Sequence, residues 1–97
     1  MRNQVIDFNG YSKFETIEEL YQELAIMGHD YQLSYNGKGY FLSRYSKKGN
    51  IIFTIASNIQ NENPTEFNSF EELLNNFKVE GNSLKSVILD IKVEYEF

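Results

Sequence analysis

His29 is the only histidine, and the chain contains no cysteine. Acid–base or metal chemistry at His29 needs partners, and no neighbour in sequence has ligand spacing. Its position after Gly28, a helix stop, is explained by exposure or by a cation meeting a helix C-terminus. The glutamate pairs Glu18-Glu19 and Glu71-Glu72 are the next chemical possibility. Paired-carboxylate hydrolysis sets two such groups a fixed distance apart across a substrate cleft. A chain of 97 residues has little room for a deep cleft, and helix-capping explains all four glutamates. Gly37-Lys38-Gly39 lacks the spacing and the strand-to-helix context of a phosphate loop, so it reads as a hairpin turn. The chain is therefore expected to be a non-enzyme with no catalytic residues, no metal ligands and no cofactor.

Charge is distributed unevenly. Residues 1–57 hold six basic and six acidic side chains, and residues 58–97 hold three basic and eight acidic, which accounts for the net −5. Lys38, Arg44, Lys47 and Lys48 fall in residues 31–57, which contain no acid. Together with Tyr40 and Tyr45 they form the one hint of nucleic-acid binding, because aromatics between cations on a sheet stack bases. Three of these cations are turn residues and the whole chain is acidic, whereas counterion release needs several phosphate contacts. Direct nucleic-acid binding is therefore not the expected function. Carboxylates on a small rigid domain can instead occupy a basic protein surface, including a nucleic-acid-binding groove or a toxin. The simpler reading of each acid is a solvated face. The candidate contacts are Glu62, Glu66, Glu71, Glu72 and Glu80, with a second patch at Tyr40, Leu42, Arg44 and Ile52.

These side chains need a scaffold, and residues 31–56 supply it as three strands joined by tight turns. Asn36-Gly37-Lys38-Gly39 and Ser46-Lys47-Lys48-Gly49 each close a polar loop with a Lys-Gly pair. That layout suits a three-residue loop ending in a glycine bulge. Tyr35 then faces Phe41, Leu33 faces Ser43, and Tyr45 faces Ile51. One face carries Tyr31, Leu33, Tyr35, Phe41, Tyr45, Ile51, Phe53 and Ile55. The other carries Gln32, Ser34, Tyr40, Leu42, Arg44, Ile52, Thr54 and Ala56. A two-residue Asn36-Gly37 turn would mix the faces.

Residues 5–8 read as an edge strand ended by Asn9-Gly10. Thr16-Ile17-Glu18-Glu19 is a capping box opening a helix. Its apolar stripe is Ile17, Leu20, Tyr21, Leu24 and Met27, and its stop is Gly28. Residues 57–66, with the only proline, form a loop. Ser69-Phe70-Glu71-Glu72 opens a second helix with Phe70, Leu73, Leu74 and Phe77 facing inward, ending before Gly81. Ser83 caps a short third helix with Leu84, Val87 and Ile88 inward. From Ile91 the period becomes two, which predicts a strand returning to the sheet; a helix to the terminus is the competing reading.

The first and second helix openings echo each other at an offset of 53 residues, extending to Leu24 with Phe77 and Gly28 with Gly81. Shared capping chemistry explains the echo. The run Phe67-Asn68-Ser69-Phe70-Glu71-Glu72-Leu73-Leu74, followed by Val79-Glu80-Gly81-Asn82-Ser83-Leu84, is similar to the C-terminal part of small uncharacterised proteins of low-GC Gram-positive bacteria and their phages. That resemblance implies no activity.

Residues 1–97 are thus expected to form a single α+β domain: an antiparallel three- to five-stranded sheet with two main helices packed on it. The absence of cysteine, of a run of about 20 apolar residues and of an apolar signal core predicts a cytoplasmic location with no membrane association. The expected function is that of a small acidic, non-catalytic binding protein, an inhibitor or immunity-type factor of a phage anti-defence or toxin-neutralising kind. It would occlude a partner protein's basic surface. The alternatives are a self-associating structural or regulatory domain, forming a homodimer, and a small RNA- or single-strand-binding module using the basic meander.

Overall fold

The computed structural model describes residues 5–6, 12–57 and 64–96. In chain order the elements are β1 (Val5–Ile6), β2 (Ser12–Lys13) and α1 (Ile17–Tyr21), which runs into a π-helical turn at Gln22–Ile26. The meander follows as β3 (Tyr31–Tyr35), β4 (Lys38–Lys47) and β5 (Asn50–Ala56). Then come β6 (Thr65–Phe67), α2 (Phe70–Asn76), a small hairpin of β7 (Lys78–Val79) and β8 (Asn82–Ser83), α3 (Leu84–Val87) with a 3-10 turn at Ile88–Asp90, and β9 (Lys92–Glu96). The main sheet is antiparallel in the order β1-β2-β9-β3-β4-β5-β6. Its longer strands are β3, β4, β5, β6 and β9. This is the expected α+β architecture, and the alternating tail is the expected strand rather than a helix.

Both turns of the meander are one residue shorter than the sequence reading has them. Asn36 and Gly37 lie at φ 50° and 80°, and Lys48 and Gly49 at 53° and 83°. Positive φ at both central residues defines the two-residue type I′ turn, whose twist matches that of the flanking strands. The pairs are consequently Tyr35 with Lys38, Leu33 with Tyr40 and Tyr31 with Leu42 on one side of β4, and Tyr45 with Ile52 and Arg44 with Phe53 on the other. The register differs by three residues at the first turn and by one at the second, both odd shifts at opposite ends of the same strand. They cancel in facing for β3 and β5 and turn β4 over, because an odd slip exchanges its faces. Tyr40 and Leu42 therefore face the core, at 5% and 0% exposed, while Tyr45 faces out at 38%.

Both helical openings form as read. Thr16 Oγ1 accepts from the Glu19 amide at 3.0 Å, and Ser69 Oγ accepts from the Glu72 amide at 3.1 Å. Each glutamate reaches one residue further back than a standard capping box. Glu19 Oε1 accepts from the Glu15 amide, and Glu72 Oε2 accepts from the Asn68 amide. The echo ends there. The second helix stops at Asn76, and Gly81 is not its stop: with Glu80 at φ 52° and Gly81 at 84°, it closes the β7–β8 hairpin.

The first helix departs from its expected stripe after Tyr21. The wider i→i+5 turn bonds the Met27 amide to the Gln22 carbonyl and rotates the residues that follow. Leu20 and Leu24 stay fully buried, but Tyr21 and Met27 emerge and Ala25 and Glu23 turn inward. Gly28, at φ 77°, ends the segment, and the Cβ of any other residue there would stand 2.7 Å from Arg44 Nη2. Leu20, Leu24, Leu73, Leu74, Leu84 and Ile88 share one core with Tyr31, Leu33, Leu42, Phe53 and Ile55, so the helices cover one sheet face. Each such side chain contributes roughly 1.5–3 kcal/mol by leaving water.

Candidate binding site at the projecting hairpin

Of the residues singled out from the sequence, Tyr40 and Leu42 belong to the core and offer no surface. Arg44 is also on the helix side of the sheet, where its Nε donates to the Leu24 carbonyl at 3.3 Å. A cation there satisfies an orphan carbonyl at the end of the π turn. Ile52 alone of the four lies on the outer face, beside Tyr45, and it is 7% exposed. The proposed outer patch of Tyr40, Leu42, Arg44 and Ile52 is thus divided between the two faces by the reversal of β4.

The acids are dispersed as well. Glu66 accepts a hydrogen bond from Tyr45 Oη at 2.7 Å, and Glu80 accepts one from Asn36 Nδ2 at 2.6 Å. Tyr45 and the Asn36 turn lie at opposite ends of β4, so Glu66 and Glu80 are separated by roughly 20 Å along the strand. Glu71 and Glu72 are exposed in the first turn of α2. Glu62 lies outside the described residues. His29 Nδ1 stands 3.9 Å from Glu23 Oε1, a carboxylate that also accepts from Tyr31 Oη at 2.9 Å. Among the described residues no group of three His, Cys, Asp or Glu side chains could hold a metal ion, and no helix is long and apolar enough to cross a membrane.

A different site emerges from strand lengths. β4 is ten residues long, but β3 pairs only with its first half and β6 pairs only with Phe53, Thr54 and Ile55 of β5. The β4–β5 hairpin therefore projects beyond its neighbours on both sides. Under its helix-facing side is a cleft of about 760 Å³, lined by Tyr21, Lys47, Lys48, Ile51, Phe53 and Phe70 among others. The rings of Tyr21 and Phe70 meet edge to face at 5.1 Å, and Phe70 stands 5.7 Å from Phe53. Ile26, 58% exposed, ends the π turn that Tyr21 precedes, and Met27, 51% exposed, follows it. An apolar floor with two lysines at its lip can hold an apolar side chain next to a negative group.

Sequence reasoning missed Tyr21, Ile26 and Met27 as exposed residues; it has Ile51 and Phe70 facing inward, as they do, but not that both line the cleft. The available signal was length: ten residues separate the Asn36-Gly37 and Lys48-Gly49 turns, yet only a few separate Gly28 from the first of them. The two strands cannot match, so the hairpin has to project. No such signal marks the π turn.

The bond to Glu66, then burial and the charge of Glu66, raise the Tyr45 pKa above its ordinary value. Burial and Glu80 raise that of Tyr40. Both phenols hold their proton more tightly folded than unfolded. Their contribution is complete below the unfolded phenol pKa and is lost as pH rises through the folded values. Urea titrations between about pH 9 and 11 are expected to show stability falling with pH above about 10, with a shallower fall in Tyr45→Phe.

No family model matches the chain, and neither a curated protein nor a solved structure matches it.

Proposed function

We propose that the chain is a non-catalytic binding protein of the inhibitor or immunity type, acting by occluding part of a partner protein. The observation that supports this reading is the projecting β4–β5 hairpin with the apolar cleft beneath it. Tyr21, 39% exposed, lines that cleft, and the chain keeps Ile26 and Met27 exposed on the turn that follows it. Clustered exposed apolar groups rimmed by charge are a usual mark of an interaction site. The scattered acids serve this reading through net charge, which steers encounter, more than through one continuous surface.

The test is affinity capture from host lysate, with and without nuclease, run in parallel on three proteins. They are the wild type, a projecting-end variant (Tyr21→Ser with Ile26→Ser) and an opposite-end variant (Lys38→Glu with Glu80→Lys). A stoichiometric protein retained by the wild type and by the opposite-end variant, and lost by the projecting-end variant, is the expected outcome. A partner indifferent to the projecting end, or retention that disappears with nuclease, would sink the reading.

A further inference from the structure

We infer that the partner contributes an extended, acidic segment that adds to the sheet beside β5 at Ile51, in line with β6. The inference rests on the binding reading above and specifies its occupant.

The argument starts from the hairpin register. A two-residue loop makes the flanking residues, Lys47 and Asn50, a hydrogen-bonded pair. Along an antiparallel strand the backbone groups alternate in direction. Asn50, Ile52 and Thr54 therefore direct N–H and C=O toward β4. Ile51, Phe53 and Ile55 direct theirs away, toward the β6 side. Phe53 and Ile55 meet Phe67 and Thr65 there. Ile51 has no strand residue opposite it on that side among the described residues, because the chain leaves the sheet after Phe67 to begin α2. A donor and an acceptor of fixed direction thus border the cleft, which a peptide backbone satisfies in register and a phosphate chain does not. Strand addition at an open edge is an established mode of peptide capture.

Side-chain preference follows from the same register. A residue paired with Ile51 lays its side chain on the helix-facing side, over Phe53, Phe70 and Tyr21. That position suits an apolar residue. Lys47 and Lys48 line the same cleft at the hairpin tip, both exposed. Neither forms an ion pair with any described carboxylate, and the surrounding residues 31–57 contain no acid. The next one or two residues of an incoming strand, running antiparallel to β5, pass these lysines and suit Asp or Glu. The cations thus choose an acidic segment, and the open edge chooses an extended one.

The experiment is selection of random octapeptides, displayed on phage, against the immobilised chain, followed by synthesis of the enriched peptides. The expected motif is an apolar residue followed within two places by Asp or Glu. Titration should move the Ile51 amide resonance most. N-methylation of the peptide residue opposite Ile51, or Lys47→Glu with Lys48→Glu in the chain, should each weaken binding by about tenfold. The lysine variant is checked for unchanged thermal unfolding, as expected for exposed turn positions. No enrichment, enrichment of basic peptides, or shifts that bypass Ile51 would overturn the inference. So would tighter binding of a single-stranded oligonucleotide at the same lysines. If selection fails while lysate capture still depends on the projecting end, the inference falls and the binding reading stands. If both fail, both fall.

Discussion

Leu42→Ala lowers the free energy of unfolding by about 2–5 kcal/mol, the usual cost of emptying a fully buried leucine site. Leu42 is 0% exposed and pairs with Tyr31 on one side and Ile55 on the other, both themselves buried. Packed between two strands and beneath the helices, the site has little freedom to collapse around the missing atoms. A leucine on a solvent-facing strand surface would change stability by only about 0.5 kcal/mol when truncated. Denaturant titration with an unchanged slope therefore separates the observed register from the one the loops suggested. Ser46→Ala, at an exposed position of the same strand, is the matched control.

Tyr31→Phe is expected to cost about 1.5–3 kcal/mol, the range for a hydrogen bond to a charged group. Phenylalanine keeps the ring and its edge-to-face contact with Phe14 at 5.1 Å. It removes only the hydroxyl that donates to Glu23, whose side chain is almost fully enclosed at 3% exposed. A carboxylate taken out of water needs its donors, and one lost donor restores none of the hydration it gave up. A double-mutant cycle with Glu23→Gln isolates the pair. A coupling energy near zero would mean that the hydroxyl contributes nothing to holding the carboxylate.

The parts of the fold that were legible are those written in local chemistry. Thr16 and Ser69 name their helix starts because a short hydroxyl followed three residues later by glutamate satisfies orphan amides. The alternation from Ile91 names a strand because a pleated segment puts Ile91 and Val93 on one side, but the register shift opposite Gln32 and Leu33 turns Tyr95 outward, 65% exposed. The reversal of β4 follows from two competing turn signals. Asn36-Gly37 is by itself the strongest two-residue turn signal, but the longer loop gave a tidier split into apolar and polar faces. Arg44 spoils the tidy split, and no sequence pattern announces that it faces inward to meet the Leu24 carbonyl. The π turn is a tertiary outcome: it places Glu23 where Tyr31 Oη can reach it, across eight residues and a chain reversal. The site inherited both failures, since Tyr40, Leu42 and Arg44 followed the strand and Tyr21 followed the helix.

β9 enters the sheet between β2 and β3, so its two neighbours are elements from the opposite end of the sequence. A hairpin such as β3–β4 or β4–β5 closes in roughly 1–10 μs once its residues are free. Ser12, by contrast, pairs with Val93, a residue polymerised about 80 positions later. At synthesis rates of about 5–20 residues per second, β2 waits several seconds for β9, its neighbour on the side away from β1. During that interval one flank of β3 is bare, and Leu73, Leu84 and Ile88, which complete the core over the meander, are not yet in place. The interval of greatest exposure to wrong pairing is set by the pace of translation rather than by the intrinsic speed of folding.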